Sequence, residues 1–344
     1  MRIKNFLFQS FAQVFFPIFF VLFFIASVVI FIRISGLTFI IKISFLELLT
    51  LYFYTLPTML FFVIPISFFV ACVLGLSRLS FDYELPVLFA LGMSPKKIIM
   101  IFLPIATLAS ISLFMLSLVL TPLSDIAYRQ FLEERKNSID INLKPGEFGQ
   151  KLGDWLVYAQ RGKDSTYENI VLLSLQKEDN QKEGLVFAAE ANISNADGVM
   201  EAHLRDGKIY RKVSDGIERI SFETMILRTS LDFIGDDNMS LIEYWKRAFY
   251  ENPREDKTKR NLSMYVLLSL FPFVSLFYFP LLGVKNPRYQ KNYTVLQTMG
   301  VVGVFFTLMY LAATYFPLLG MFFVPIFWGC IGYALYYRYI ARFY

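Results

Sequence analysis

The chain has 344 residues, of which 56% are hydrophobic, 18% aromatic and only 18% charged. A soluble domain carries about 25% charged residues, so the composition excludes a uniformly soluble protein and also a disordered one. The net charge of +5 averages two unlike parts. Residues 123–260 hold 21 basic and 25 acidic residues, whereas the apolar remainder holds 12 basic and 3 acidic residues. Because the basic excess lies in the apolar part, it indicates membrane topology rather than affinity for nucleic acid.

A membrane-crossing helix needs about 20 apolar residues, and several uncharged runs of the chain are long enough. They cover residues 5–32, 48–77, 98–124 and 261–284. A fifth run, residues 292–337, is long enough for two crossings, and the stretch 315–320 predicts a turn between them. The first run is too long for the apolar core of a signal peptide, so it predicts a retained span. The sequence therefore predicts a six-helix membrane protein, with three spans on either side of a polar insert.

The basic residues next to the spans orient the chain through the positive-inside rule. One side receives Arg2, Lys4, Arg78, Lys96, Lys97, Lys285, Arg288, Lys291, Arg338 and Arg342. The short loops on the other side offer Arg33 and Lys42. Both termini are therefore predicted to be cytoplasmic, and the insert extracytoplasmic.

The insert, residues 125–259, reads as a separate all-β domain between helical parts 1–124 and 260–344. Strand-like runs cover residues 155–160, 170–176, 184–193, 199–213 and 217–231. Pairs such as Asp206-Gly207 and Asp215-Gly216 lie among them and are typical of hairpin turns. Many short strands with turn signals predict a sandwich or an open barrel. The flanks, residues 125–137 and 240–254, are predicted to be helical.

The sequence offers no catalytic motif. A phosphate-binding GxxxxGK[ST] loop, GxSxG and HExxH are all absent. The single histidine, His203, and two distant cysteines, Cys72 and Cys330, predict neither a metal site nor a disulfide. The centres of the predicted spans lack Asp, Glu, Lys and His, which argues against a proton-driven transporter and leaves a backbone Na⁺ site open. We therefore expect no enzyme activity, metal or cofactor in this chain, and expect energy from a partner if a substrate moves.

The segment between spans 2 and 3 is the most informative stretch. Asp82 and Glu84 are predicted at the start of a short helix, where negative charge is favourable. Gly92 is predicted to end that helix, and Ser94-Pro95 to begin span 3. Such a helix, with exposed acids and apolar residues such as Leu88, could dock into a groove of another protein. A membrane-surface turn explains the pattern equally well.

Two further places carry basic residues with two interpretations each. Arg33 ends span 1 and Lys42 follows it; they either anchor the chain at the membrane interface or bind an anionic lipid head group. The loop with Asn286, Pro287 and Arg288 either signals topology or contacts a cytoplasmic partner.

Three motifs accompany the layout of three spans, a β domain and three spans. They are Arg78-Leu79-Ser80-x-Asp82-x-Glu84-Leu85 with Ala90-Leu91-Gly92-Met93-Ser94, Pro280-Leu281-x-Gly283-Val284-x-Asn286-Pro287-Arg288, and Phe31-Ile32-Arg33-Ile34-x-Gly36. With these features the whole chain resembles the LptF/LptG (YjgP/YjgQ) permeases, the membrane subunits of the lipopolysaccharide export ABC transporter. The Asn-Pro-Arg loop favours the LptF paralogue.

The resemblance implies a heterodimer with a second LptF/LptG-type permease, seated on an LptB-type ATPase dimer that binds ATP and Mg²⁺. It implies that residues 78–94 form the coupling segment, which docks onto the ATPase. Its expected contact residues are Arg78, Asp82, Glu84, Leu88 and Gly92.

The resemblance also implies that lipopolysaccharide enters between spans 1 and 5, with Arg33 and Lys42 near its phosphates. A jellyroll-like β domain in the periplasm would pass the lipid to LptC-type and LptA-type jellyrolls by edge-to-edge strand continuation. The implied location is the inner membrane of a Gram-negative cell, and the implied role is outer-membrane biogenesis.

Three alternatives stay open from the residues. The chain could be a mechanotransmitting subunit of another ABC class, which moves no lipid. It could be an envelope assembly scaffold that associates with no ATPase. An intramembrane enzyme is the weakest alternative, because the spans lack the residues that such sites use.

Overall fold

The fold is taken from a computed structural model of the chain. It describes residues 2–36, 43–136, 143–152, 155–163, 166–174, 184–196, 199–213, 216–230, 240–246, 249, 256–286, 288 and 293–342. The chain divides into two compact units. The first combines Met1–Val29, Thr55–Asp125 and Asn238–Tyr344, and the second combines Ile30–Tyr54 and Ile126–Asp237.

Ten α-helices are present in the described part of the chain. They are α1 Arg2–Ser35, α2 Phe45–Phe81, α3 Glu84–Ala90, α4 Pro95–Met115, α5 Thr121–Lys136, α6 Leu241–Lys246, α7 Asp256–Val274, α8 Tyr278–Gly283, α9 Thr294–Tyr315 and α10 Pro317–Tyr336. A π-helical turn, Leu116–Leu120, joins α4 to α5, and a second, Tyr337–Ala341, follows α10.

Five of the described helices are long and apolar enough to cross a membrane. They cover Ile3–Ser35, Phe45–Phe81, Pro95–Leu132, Thr294–Tyr315 and Pro317–Ala341. These helices and the sheet inserted between them confirm the predicted fold class. The break predicted at 315–320 is confirmed too, because α9 ends at Tyr315 and α10 begins at Pro317.

The fourth predicted span differs from a single helix. Residues 261–284 fall in α7 and α8, separated by the turn Ser275–Phe277. Pro272 lies inside α7 and Pro280 inside α8, and each lacks the N–H that a continuous helix would use. The turn is partly bridged by Ser275 and Tyr278, since the Tyr278 N–H donates to the Ser275 carbonyl over 3.0 Å.

Aromatic side chains form the core of the helical unit. Phe271 of α7 lies between Phe69 of α2 and Phe305 of α9, with ring centroids 5.1 and 4.4 Å apart. Trp328 of α10 packs against Phe305 at 5.2 Å and stacks on Tyr278 at 4.8 Å. In a membrane, side-chain packing rather than the hydrophobic effect holds helices together, so these contacts fix the arrangement of the helices. The central helix is α2, because 72% of its most apolar window is buried.

The π turn Leu116–Leu120 is held from two sides. Ser117 shares a hydrogen bond of 3.1 Å with Ser269 of α7, and both side chains are fully buried. On the other side, the indole N–H of Trp245 in α6 donates to the carbonyl oxygen of Leu118 over 2.8 Å. π turns inside helices recur at functional sites, where the helix has to change direction.

The second unit contains one antiparallel sheet of six described strands. They are β1 Gln150–Leu152, β2 Trp155–Lys163, β3 Thr166–Ser174, β4 Gly184–Ala196, β5 Val199–Val213 and β6 Gly216–Ser230. The strands are neighbours in chain order, so β1 and β6 form the edges of the described sheet. The inserted all-β domain is therefore confirmed. The order is an up-and-down meander, without the crossed connections of a jellyroll built from two Greek keys.

Strand pairing is interrupted along one line across the sheet. The residues on this line are Gln160, Asn169, Ala189, Asp206 and Glu223, each skipped by the pairs on either side. Asn169 and Asp206 have φ angles of 51° and 49°, in the left-handed region that Asn and Asp tolerate best. The inward-facing residues change parity here: in β5 they are Ala202 and Leu204 before the line, and Gly207 after it. We call this line the crease.

The crease corrects one prediction. Asp206-Gly207 does not form a hairpin turn but lies inside β5, because Arg205 and Gly207 on either side of Asp206 pair with both β4 and β6. The left-handed residue that a hairpin would use serves instead to bend a continuous strand, as in a β-bulge. Gly207 is required there, because a Cβ would overlap the Phe222 ring and lie 2.5 Å from the Phe187 carbonyl oxygen.

Candidate functional site: the coupling segment and its junction

The predicted coupling segment, residues 78–94, begins in the last turn of α2. Phe81 is the last residue of α2, and Tyr83 then adopts a left-handed conformation with φ 63°. The turn Asp82–Tyr83 ends the helical path of α2, and α3 begins at Glu84. The Val87 N–H donates to the Tyr83 carbonyl over 3.2 Å, which closes the first turn of α3. The predicted short helix is therefore confirmed, with Glu84 as its first residue and Asp82 two residues before it.

Gly92 ends the short helix in the predicted way. Its φ of 87° is left-handed, and its N–H donates to the Phe89 carbonyl over 2.9 Å. The next N–H, of Met93, reaches the Leu88 carbonyl over 3.1 Å, which completes a Schellman motif. Ser94 is extended and Pro95 is the first residue of α4, as the sequence predicted.

Acidic side chains lie exposed at the beginning of this segment. Asp82 faces Arg78 one helical turn earlier, with Oδ2 3.6 Å from Nε, and both side chains are more than half exposed. Glu84 is also exposed. By contrast, Leu85 is fully buried, and Leu88 packs against the helical core. The segment is thus anchored by its apolar residues and presents its carboxylates outward.

A groove of about 510 Å³ lies beside these acids. Its walls are formed by Ile3, Phe6, Asp82, Tyr83, Glu84, Val87 and Leu88. Ile3, Phe6, Tyr83 and Val87 are all at least 38% exposed, so the apolar floor is open to solvent or to a partner. The sequence did not predict the contribution of Ile3 and Phe6, because the first two turns of α1 are 80 residues away in the chain.

The structure also brings together two motifs that lie far apart in the sequence. Ser80, in the last turn of α2, donates a hydrogen bond to the Gly283 carbonyl at the end of α8 over 2.9 Å. One turn earlier, Ser77 donates to the hydroxyl of Thr294, the first residue of α9, over 2.9 Å. All three hydroxyl-bearing side chains are buried. The coupling segment therefore begins at a polar junction with the link between α8 and α9.

The link itself contains two residues of the predicted partner loop. Asn286 and Arg288 are exposed, and the Asn286 side chain accepts a hydrogen bond from the Arg288 N–H over 3.1 Å. Pro287 lies outside the described residues. Partial burial lowers the pKa of the neighbouring Lys285, whose ammonium group donates to Gln297 of α9 over 2.9 Å.

Arg33, the described residue of the predicted lipid-binding pair, belongs to the second unit. Arg33 is exposed in the last turn of α1, next to Ile34, which is buried against Leu51 and Leu132. This small apolar cluster holds the end of α1 in place and leaves the guanidinium free to face outward. Lys42 lies outside the described residues.

The apolar helices and the inserted sheet define a multi-pass membrane protein with a β domain in the middle of its chain. The chain belongs to the family described as lipopolysaccharide export system permease LptF/LptG, whose model matches residues 5–338. The family model covers both paralogues, LptF and LptG, so the assignment of this chain to LptF stays a prediction. No match was found among curated proteins.

Proposed function

We propose that this chain is a permease subunit that extracts lipopolysaccharide from the inner membrane and passes it to a periplasmic bridge, with energy from a partner ATPase. Membership of the export permease family supports the general role. The observation that carries the mechanism is the groove at the coupling segment, because it joins an apolar floor to exposed carboxylates.

The groove is a docking site for the ATPase in this proposal. Asp82 and Glu84 form an acidic rim, so the ATPase surface that seats here carries basic or hydrogen-bond-donating groups. An apolar side chain of the ATPase fills the floor between Phe6, Tyr83 and Val87. Leu88 holds the segment through core contacts and Gly92 through the helix cap, while Arg78 lies beside Asp82 at the acidic rim.

The remaining assignments follow the resemblance and the residue chemistry. Arg33, with Lys42, binds the phosphates of lipid A, since a guanidinium forms paired hydrogen bonds to phosphate. The LptB-type ATPase dimer binds ATP and Mg²⁺, and this chain supplies no cofactor. A second LptF/LptG-type permease completes a heterodimer. Asn286, Pro287 and Arg288 face the cytoplasmic partners, and both termini are cytoplasmic.

The β domain hands the lipid to LptC-type and LptA-type proteins in the periplasm. Strand β6 is an edge of the described sheet and runs for 15 residues, Gly216–Ser230. An unpaired edge of that length offers backbone hydrogen bonds to an added strand. The inward residues of the sheet, such as Val186 and Leu204, form its buried apolar core.

The docking role is tested by purifying the tagged chain in mild detergent from its native membrane and identifying proteins and lipids by mass spectrometry. The unmodified chain should carry a soluble ATPase, a second permease and lipopolysaccharide. Glu84→Lys should reduce the ATPase yield, and Glu84→Gln should reduce it less, because it keeps the shape. Glu218→Lys reverses an exposed acid on β6 and serves as the charge control.

The outcomes separate the competing roles. Normal ATPase recovery with Glu84→Lys would contradict the docking site. An ATPase recovered without lipopolysaccharide would favour another ABC class. The absence of both from an intact preparation would favour a scaffold.

The lipid role of Arg33 has its own test. Arg33→Glu should lower lipopolysaccharide crosslinking to span 1 more than it lowers complex assembly, whereas Arg33→Lys should retain part of the crosslinking because it keeps the charge. Equal crosslinking in all three proteins would remove Arg33 from the binding site.

A further inference from the structure

The junction between α2 and the α8–α9 link depends on two serines of the last two turns of α2. Ser80 is completely buried, and its hydroxyl has two backbone partners: it donates to the Gly283 carbonyl over 2.9 Å and accepts from the Lys285 N–H over 3.3 Å. One side chain of α2 therefore binds the backbone on both sides of Val284, where α8 gives way to the link. The contact joins residues more than 200 positions apart in the chain.

Ser77 makes a second connection, to α9. Its hydroxyl donates to Thr294 Oγ1 over 2.9 Å, and both side chains are at most 3% exposed. Thr294 is the first residue of α9, and its carbonyl accepts a hydrogen bond from Thr298 over 2.6 Å. The N-terminal turn of α9 is therefore hydrogen-bonded to α2 through side chains that have no access to water.

The backbones at the junction are also in close contact. A Cβ added to Gly283 would lie 2.5 Å from the Cβ of Leu76 and 3.1 Å from the carbonyl oxygen of Val73. Leu76 itself is 1% exposed. Small residues allow such close helix contacts in membranes, and the close contact leaves little room for one helix to slide on the other.

These contacts make the end of α2 and the start of α9 move together. Sliding α9 away from α2 would break the buried hydrogen bond between Ser77 and Thr294, which is costly. Within the coupling segment, α3 follows α2 after the two-residue turn Asp82–Tyr83, in which Tyr83 is left-handed. Only Phe81, the last residue of α2, and the turn residues Asp82 and Tyr83 lie between Ser80 and Glu84, so a force applied at Glu84 reaches the junction over a short stretch of chain.

We propose that Ser77 and Ser80 are positioning residues that transmit displacement of the coupling segment to α9. The proposal rests on the proposed function, in which an ATPase moves that segment. Helix α4 follows the segment through the chain itself, because Ser94 and Pro95 join it directly to α3. Helix α9 is not adjacent to α3 in the chain, so we assign the transmission to the Ser77 contact with Thr294 and to the Ser80 contact with the link that precedes α9.

The test measures two rates in one preparation: ATP hydrolysis by the reconstituted complex in proteoliposomes with lipopolysaccharide, and lipid released to a soluble acceptor. The variants Ser80→Ala and Thr294→Val remove one hydroxyl each, and valine keeps the shape of threonine. We expect ATP hydrolysis close to that of the unmodified complex. We expect the lipid released per ATP to fall about fivefold, the factor that corresponds to a coupling free energy of about 1 kcal/mol.

Two variants serve as matched controls. Ser67→Ala removes another fully buried hydroxyl of α2, but that hydroxyl donates to Val63 of its own helix over 2.8 Å. Thr294→Ser keeps the hydroxyl that Ser77 contacts. Both should retain the lipid-to-ATP ratio of the unmodified complex. The double variant Ser77→Ala with Thr294→Val should lose no more than the larger single loss, because both changes break the same contact.

The outcomes distinguish a specific role of the junction hydrogen bonds from a general loss of structure. An unchanged ratio in Ser80→Ala and Thr294→Val overturns the proposal, and so does an equal loss in Ser67→Ala. A loss of ratio confined to the junction variants, with rescue by Thr294→Ser, supports it. If the unmodified complex neither binds an ATPase nor releases lipid, the proposed function fails and the proposal fails with it.

Discussion

The indole nitrogen of Trp245 donates a hydrogen bond to the carbonyl oxygen of Leu118, 127 residues earlier in the chain, over 2.8 Å. Leu118 lies in the π turn that joins α4 to α5, and Trp245 lies in the short helix α6. Trp245, which follows the β domain in the chain, thus stabilises the π turn that precedes the β domain. The ring also packs on Tyr265 of α7, with centroids 6.0 Å apart.

Trp245→Phe should destabilise the helical unit by about 1 kcal/mol, because it keeps the aromatic ring and removes the donor to a partly buried carbonyl. The measurement is thermal unfolding of the purified chain in detergent. Phe249→Leu changes an exposed ring of the same segment and should leave the midpoint unchanged. An unaltered midpoint in Trp245→Phe would show that water replaces the indole at Leu118.

Arg78→Ala should change the stability of the protein by no more than about 0.5 kcal/mol. Its ion pair with Asp82 is long, at 3.6 Å, and both side chains are mostly exposed, so solvent screens the interaction. Under the proposed function, any larger effect of Arg78→Ala concerns ATPase association. Comparing unfolding midpoints with ATPase recovery in the same preparation separates the two. A midpoint that falls by several degrees would contradict the exposed geometry.

Tyr83→Gly should affect stability and docking in opposite directions. Glycine adopts a φ of 63° without the steric cost that a larger residue carries, so the variant should be as stable as the original or more stable by up to about 1 kcal/mol. The same change removes an exposed ring from the groove, and ATPase recovery should therefore fall. Tyr83→Phe is the matched control, since it keeps the ring and the strain. Equal ATPase recovery in all three proteins would exclude Tyr83 from the docking surface.

Gly207→Ala should open the β domain to proteolysis. The added methyl group would overlap the Phe222 ring and press on the carbonyl oxygen of Phe187, and overpacking of this kind costs about 1–3 kcal/mol. Phe222→Leu in the same chain should restore only part of the resistance, because the carbonyl cannot move aside. The control is Gly303→Ala in α9, where a Cβ meets nothing within 4 Å. Full restoration by Phe222→Leu would assign the whole effect to the ring.

Features with a local cause could be predicted from the sequence. Three of them depend only on residues next to one another in the chain. They are the break between α9 and α10 before Pro317, the cap at Gly92 and the start of α4 at Ser94-Pro95. The strand Val199–Val213 was predicted with its observed ends, because hydrophobic alternation and flanking turns define it.

Features that depend on distant residues could not be predicted. The Ser77–Thr294 contact joins residues 217 positions apart, and isolated hydroxyl groups at the ends of apolar runs were its only trace. The pair Asp206-Gly207 has the composition of a turn, and only its pairing on both sides shows that the strand continues. Similarly, mean hydropathy does not register the turn at Ser275–Phe277, because Leu276 and Phe277 are apolar and Ser275 carries no charge.

The crease changes which residues of a strand would be accessible to a labelling reagent. In β4, the buried residues Val186 and Ala188 have even numbers, whereas Ala191 and Ile193 beyond the crease have odd numbers. A cysteine scan that steps by two residues would therefore label the outer surface in one half of the strand and the interior in the other. Spacers for spectroscopic probes or crosslinks must be shifted by one residue at Ala189 to stay on one surface.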